Sequence, residues 1–181
     1  MSSRIPFAAA GSAALLWCGG CACPPGIAVP DVPASLRPPT GQVPFLEALA
    51  SGVQVYECAP KADGSGAHEW AFRAPEATLT YRTGRPLGKH FAGPTWAAND
   101  GSTVVAQVKA RDAAPSASAI PWLLLAATST SGNGTFTQTA SIQRVQTSGG
   151  VAPTASCGPT NAGQTARVPY TATYYFYRAA P

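Results

Sequence analysis

The stretch RVPYTATYYFYR, residues 167–178, decides the fold. It consists mostly of β-branched and aromatic residues, which strands favour. Its aromatic residues are Tyr170, Tyr174, Tyr175, Phe176 and Tyr177. Because the side chains of a strand point alternately to its two faces, these rings cannot all lie on one side. Some of the tyrosines are therefore expected to be exposed or packed under another segment, while the others pack inside a sheet.

Runs with strand-like composition also occur upstream of this segment. They include residues 52–58, 68–74, 77–83, 102–111, 120–129 and 135–148. Most of these runs alternate between apolar and polar residues, which is typical of strands with one face in the core. The run 120–129 is continuously apolar and predicts a strand that is buried on both faces.

Local signals between the runs predict turns and one short helical segment. The dipeptide Asn133-Gly134 follows an apolar run and predicts a tight hairpin turn. Pro75 and Glu76 separate two runs and predict a break between two strands. The segment FLEALASG, residues 45–52, predicts one or two helical turns that end at Gly52.

The whole pattern predicts an all-β protein. We find at least seven candidate strands and no amphipathic helix of ten or more residues. A chain of 181 residues has room for one domain. We therefore expect a single-domain antiparallel β-sandwich or flattened barrel with little helix. A dinucleotide-binding domain is excluded, because neither a Gly-x-Gly-x-x-Gly turn nor an alternation of strands and helices is present.

A proline-rich segment precedes the strands. Residues 24–44 contain seven prolines, which fix the backbone torsion φ and remove amide donors. This segment is expected to be extended, as a lead or as a strap packed on the domain, and residues 45–181 are expected to form the all-β domain. Charged residues make up only 11% of the chain and the net charge is +4. Because the basic residues are scattered, nucleic-acid binding is not expected.

The N-terminus resembles an export signal. Arg4 precedes the apolar segment IPFAAAGSAALLW, residues 5–17, and small residues follow it. We expect a signal peptide over residues 1–23, with cleavage near Ala22 or near Ala28, and a periplasmic, secreted or outer-surface protein. No transmembrane segment is expected in the mature chain, because the apolar stretch is shorter than a bilayer requires. A lipid anchor at Cys21 or Cys23 is not favoured, because the residues before each lack the pattern of a lipid-attachment motif.

Export determines how the remaining cysteines are interpreted. Outside the signal region the chain has only Cys58 and Cys157. Two cysteines in an oxidising compartment most simply form one disulfide. A zinc site needs four ligands and a nucleophilic cysteine needs a histidine base, so both remain minor alternatives. No cofactor or metal is expected.

The candidate site is the stretch GKHFAGPTWAANDGS, residues 88–102. Histidine is the side chain whose usual pKa lies closest to neutral pH. His90 is therefore a candidate general base or metal ligand, with Asp100 or Glu76 as its partner. Trp96 is a candidate wall for ligand stacking, and Trp122 a further candidate ligand contact. The competing interpretation is structural: a Gly-Pro turn, a tryptophan anchored in the core, and an Asn-Asp-Gly turn before the next strand.

Several phrases together resemble a known family of proteins. They include WAFRAPEATL (residues 70–79), GKHFAGPTW (88–96), DGSTVVAQV (100–108), AIPWLLLAA (119–127) and VPYTATYYFY (168–177). The family is the one called domain of unknown function 3455, and the resemblance runs from about Val32 to Tyr177. It implies an exported bacterial or fungal protein without an assigned activity, and it implies that Cys58 and Cys157 are motif cysteines. Some fungal relatives carry a malate dehydrogenase label, but the missing dinucleotide turn makes this activity unexpected here.

These observations support three hypotheses about function. The favoured one is a non-catalytic extracytoplasmic binding or surface protein, for a carbohydrate or a small apolar ligand. The second is a hydrolase or metal-assisted enzyme centred on His90. The third is a structural envelope or secreted protein with no small ligand.

Overall fold

The computed structural model describes Met1 and residues 26–181 of the chain. The predicted signal peptide therefore lies, apart from Met1, outside the described residues, as do Cys21 and Cys23. No helix in the described part of the chain has the length and apolar character needed to cross a membrane.

Eight antiparallel strands form one sheet that closes on itself as a barrel. The strands are β1 Gln42–Pro60, β2 His68–Thr80, β3 Pro86–Phe91, β4 Thr95–Ala98, β5 Thr103–Asp112, β6 Trp122–Ser131, β7 Ser141–Gly149 and β8 Thr165–Ala179. Each strand pairs with the next along the chain, and β8 pairs with β1 to close the ring. The prediction of an all-β fold in the form of a flattened barrel is confirmed.

The helical content of the described residues is limited to two 3-10 turns, η1 Ala34–Leu36 and η2 Pro159–Asn161. The proline-rich segment that contains η1 lies against the outside of the barrel. Leu36 is fully buried there, and its carbonyl oxygen accepts a hydrogen bond of 2.7 Å from Nε2 of Gln143 on β7. The described part of this segment before β1 is therefore packed on the domain as a strap.

Strand β8 uses both of its faces, as its sequence requires. Tyr170, Tyr174 and Phe176 belong to the core inside the barrel. Tyr175 and Tyr177 belong to a second cluster on the opposite face, under the strap. The tyrosines that do not face the core are therefore packed under the strap, and none of the tyrosines from 174 to 177 is exposed.

The helical prediction for residues 45–52 is wrong. These residues form the first half of β1, which is hydrogen-bonded to β8 on one side and to β2 on the other. Pairing on both sides supplies more backbone hydrogen bonds than a short isolated helix could, so tertiary context overrides local helix propensity. Gly52 does not end the element but lies within it, where a Cβ atom would collide with the backbone of Glu76 and Ala77.

Two predictions about strand limits and one about strand burial also fail. The predicted break at Pro75 does not occur, because β2 runs through it, and the register shifts only between Val55 and Tyr56 of β1, where Arg73 of β2 has no paired residue. Leu124 on β6 is only half-buried, because the outer face of a barrel is not covered everywhere. The dipeptide Asn133-Gly134 is not a two-residue hairpin, since β6 ends at Ser131 and β7 begins at Ser141.

The two ends of the barrel differ. The end with the β6–β7 connection is filled by Phe136, which is fully buried and packs on Phe176 with ring centroids 4.8 Å apart. The opposite end carries the predicted disulfide, which is confirmed: it joins Cys58 on β1 to Cys157 in the β7–β8 connection, with a Cα–Cα distance of 5.5 Å. We call this second end the mouth of the barrel.

Candidate functional site

A cavity of about 490 Å³ opens at the mouth of the barrel. Each of the eight strands contributes at least one lining side chain, so the cavity is the upper part of the barrel interior. The turn between β3 and β4, residues 92–94, forms one side of the rim. Phe72 and Val108, which are exposed, form part of its wall. Exposed apolar side chains around a concave opening are typical of a ligand site.

His90 and Trp96 lie together in this cavity. They are paired residues on β3 and β4, because the short turn between these strands brings the two positions directly opposite each other. Their rings are stacked, with centroids 4.2 Å apart and planes 15° from parallel. Tyr174 on β8 meets both rings edge to face, at 5.2 Å from His90 and 5.4 Å from Trp96. The three rings form the aromatic floor of the cavity.

The hydrogen bonding of His90 determines its tautomer. Nδ1 lies 2.9 Å from the carbonyl oxygen of Thr95. Because a carbonyl oxygen can only accept, Nδ1 carries the proton, and in the neutral ring Nε2 keeps its lone pair. Burial is the main cause that lowers the pKa of His90 to about 4; the hydrogen bond to Thr95 opposes this decrease, and the positive charge of Arg144 adds to it. His90 is therefore neutral at pH 7 and offers an acceptor at Nε2.

Two polar atoms in the aromatic floor have no partner. The indole Nε1 of Trp96 and the hydroxyl of Tyr174 are buried and make no hydrogen bond of normal geometry within the described residues, and the tyrosine hydroxyl lies near Tyr170 and Arg144. Both side chains are only 1% exposed. Burial raises the pKa of Tyr174, so its hydroxyl stays protonated and can donate. Buried donors without partners are rare in native structures, and they indicate a group that the protein atoms alone do not supply.

Arg144 is the charged group nearest to this floor. It lies on β7, two residues after the buried Ile142, and therefore points to the inside of the barrel. Its Nε and Nη2 donate to the carbonyl oxygen of Pro121 at 3.2 and 2.9 Å. Its positive charge opposes the rise in pKa that burial causes for the hydroxyls of Tyr174, Tyr56 and Tyr170.

The carboxylates considered as partners of His90 are engaged elsewhere. Asp100 lies at the closed end of the barrel, where it accepts hydrogen bonds from the backbone and hydroxyl groups of Ser102 and Thr135. These bonds hold the pKa of Asp100 well below its usual range. Glu76 pairs with Arg167 on the outside of the barrel, and this bond lowers the pKa of Glu76. Neither carboxylate lines the cavity.

The remaining candidates also lie apart from His90. Trp122 packs with the cluster under the strap and does not line the cavity. His68 is the first residue of β2 and does not line it either. Among the residues that the structure describes, no three His, Cys, Asp or Glu side chains lie close enough together to hold a metal ion.

The sequence analysis missed Arg144 and the role of Tyr174 in the cavity. A signal for Arg144 was present in the segment SIQRVQ, residues 141–146, because its spacing from Ile142 places both side chains on the same face. A charged residue on the apolar face of a predicted strand indicates a buried polar site. For Tyr174, the sequence predicted an aromatic residue in a strand but offered no information on its face of the sheet or on its neighbours in β3 and β4.

The comparisons with known proteins agree with the resemblance found in the sequence. The model of the family described as "Protein of unknown function (DUF3455)" matches residues 39–178. This range contains all of β1 to β7 and nearly all of β8. No curated protein and no solved structure matches the chain.

Proposed function

The chain belongs to the family of unknown function DUF3455, and we propose that it is a non-catalytic, extracytoplasmic protein that binds a small molecule in the mouth of its barrel. One observation carries this proposal. The cavity of about 490 Å³ combines an aromatic floor with buried donors that have no partner in the described residues. A volume of this size suits a small organic ligand.

The polar groups of the cavity favour binding over catalysis. His90 offers a lone pair at Nε2, but its pKa of about 4 makes it a weak base at neutral pH. In addition, no carboxylate, cysteine or serine is among the lining residues that could orient it or act as a nucleophile. A neutral acceptor beside unpartnered donors is suited to recognising a ligand's polar groups.

Export is part of the proposal. A disulfide between Cys58 and Cys157 persists best in an oxidising compartment. The N-terminal sequence, with Arg4 before an apolar segment and small residues, has the character of a signal peptide. Both observations support a periplasmic, secreted or surface location, where a pre-formed cavity can capture molecules from the surroundings.

Titration with a neutral fluorescent ligand tests the binding function. N-phenyl-1-naphthylamine is apolar, uncharged and fluorescent only in an apolar site, so we expect saturable binding to the purified protein. We expect Val108→Trp to weaken this binding about tenfold or more, because the indole would occupy part of the cavity. Val151→Trp is the matched control, since Val151 is also an exposed valine at 37% but does not line the cavity.

The result decides between binding at the mouth and adsorption elsewhere. Saturable binding that is lost in Val108→Trp and kept in Val151→Trp supports the proposal. Absence of saturable binding to the wild-type protein, or equal binding by both variants, contradicts it.

A further inference from the structure

The cavity at the mouth carries an excess of positive charge. Its lining includes Arg73, Arg111 and Arg144, and within residues 26–181 no aspartate or glutamate lines it. Arg73 is neutralised by Glu57 on β1, with Nε 3.0 Å from the carboxylate. Arg111 and Arg144 make no ion pair within the described part of the chain. Two cationic side chains therefore line this cavity without a carboxylate from these residues.

Arg144 is the more enclosed of these two cations. It is half-buried, whereas Arg111 is exposed at the rim. Two of its N–H groups donate to the carbonyl oxygen of Pro121, and a guanidinium has five in all. A carbonyl oxygen satisfies hydrogen bonds but does not neutralise a charge. A partly desolvated cation is stabilised strongly only by an opposite charge, so Arg144 offers a binding point for an anion.

Neutral donors reinforce this preference. Tyr174 and Trp96 line the same cavity, and the tyrosine hydroxyl and the indole Nε1 are buried without a hydrogen bond of normal geometry among the described residues. An indole N–H can only donate, so Trp96 requires an acceptor from outside. With the remaining N–H groups of Arg144, these atoms form a set of donors that an anionic oxygen would satisfy.

The rest of the wall suits an apolar body. Leu123 and Leu125 from β6 line the inner part of the cavity, and Phe72 and Val108 line its outer part. An inorganic anion would leave this apolar surface uncovered. An uncharged sugar would leave the charge of Arg144 without a counter-ion.

We propose that the cavity binds a small organic anion, a carboxylate or sulfonate on an apolar body, whose charged group pairs with the guanidinium of Arg144. This proposal rests on the binding function proposed above and names the chemical class of its ligand. The apolar body would lie against the aromatic floor and the leucines of β6, and the anionic oxygens would accept from Arg144, Tyr174 and Trp96.

A pair of probes that differ only in charge tests the proposal. 8-Anilinonaphthalene-1-sulfonate has the ring system of N-phenyl-1-naphthylamine with one added sulfonate. We expect the wild-type protein to bind the sulfonate at least about tenfold more tightly than the neutral probe. We expect Arg144→Met to reduce the ratio of the two affinities to about one, because methionine keeps an apolar stem without the charge. Lys109→Met is the matched control, since it removes one positive charge at an exposed residue of β5 that does not line the cavity, and it should keep the preference.

A competition experiment on the wild-type protein needs no variant and covers the case in which Arg144→Met does not fold. Benzoate should displace the bound neutral probe, whereas benzamide, its uncharged analogue, should require at least about tenfold higher concentration. Equal displacement by the two, or equal affinity of the two fluorescent probes, overturns the anionic ligand while the binding function stands. If the wild-type protein binds neither fluorescent probe, the binding function itself fails, and the anionic ligand with it.

Discussion

His90 on β3 and Trp96 on β4 stack face to face, with ring centroids 4.2 Å apart, at the floor of the barrel mouth. The pairing register places them opposite each other, and the bond from Nδ1 of His90 to the carbonyl oxygen of Thr95 fixes the imidazole in that position. The stack covers one face of the imidazole with indole, which removes water and accounts for the low pKa of His90. This relationship gives the protein a pH dependence that can be measured.

We expect His90 to make the protein less stable in mild acid. The pKa of His90 is about 4 in the folded state and 6.5 in the unfolded state, so between these values the unfolded chain binds more protons. Its contribution to the free energy of unfolding is therefore complete above pH 6.5 and is lost as the pH falls to 4. The loss is about 3 kcal/mol. Urea unfolding at pH 7.5 and at pH 4, followed by tryptophan fluorescence, measures it.

Two variants separate His90 from the other groups that titrate in this range. His90→Asn keeps a donor near the Nδ1 position but does not titrate, so its stability should fall less with acid than that of the wild type. His68→Asn removes the other histidine and should keep the wild-type decrease. A wild-type protein and a His90→Asn variant with the same pH dependence would contradict the burial of a neutral His90.

The disulfide should contribute substantially to stability, because it closes a long loop. Its cysteines are 99 residues apart, and removal of such a bond costs about 2 to 4 kcal/mol. The double variant Cys58→Ser/Cys157→Ser should show this decrease in urea unfolding, and a reducing agent should destabilise the wild type but not the variant. A non-reduced digest analysed by mass spectrometry should contain one cross-linked peptide with both cysteines. Finding these two cysteines as free thiols would exclude the bond.

Asp100 should stabilise the closed end of the barrel. It bridges the β4–β5 turn and the β6–β7 connection through four hydrogen bonds to Ser102 and Thr135. Because the carboxylate is exposed to solvent, we expect Asp100→Ala to lower the free energy of unfolding by only about 1.5 kcal/mol. Asp63→Ala is the matched control, since Asp63 accepts a hydrogen bond only from Ser65 in its own turn. The urea midpoint of this variant should equal that of the wild type. Equal effects of both variants would show that the bridge contributes nothing.

The strap should stabilise the barrel mainly through one side chain. Leu36 is fully buried against the outer wall, so Leu36→Ala should lower the free energy of unfolding by about 2 to 4 kcal/mol. Val29 lies in the same segment but is 42% exposed, and Val29→Ala should change stability by less than about 0.5 kcal/mol. Urea unfolding of the two variants checks both values, and a small effect at Leu36 would mean that the strap detaches easily.

The sequence was informative where a pattern repeats along one strand. Alternation in β8 predicted that its tyrosines occupy two faces, and the single pair of cysteines outside the signal region predicted the disulfide. The local signals failed at residues 45–52 and at Pro75, because pairing with strands distant in sequence determines the conformation there. Local propensity contains no information about such partners.

The candidate site was predicted in part. His90 and Trp96 are six residues apart, and a short turn between two strands places them together, so sequence reasoning could find this pair. Arg144 and Tyr174 reach the same cavity from β7 and β8, through closure of the barrel. Their distance from His90 depends on the number and register of the strands, which no local pattern specifies.

The difference between the two barrel ends determines how a small molecule can enter and leave the barrel. Because Phe136 fills one end, the cavity opens only at the mouth, and the barrel does not form a channel through the described part of the protein. A molecule that enters at the mouth has to leave by the same route before another can take its place. For the proposed ligand, exchange would then be sequential, and the residence time of one bound molecule would set the rate at which the next can bind.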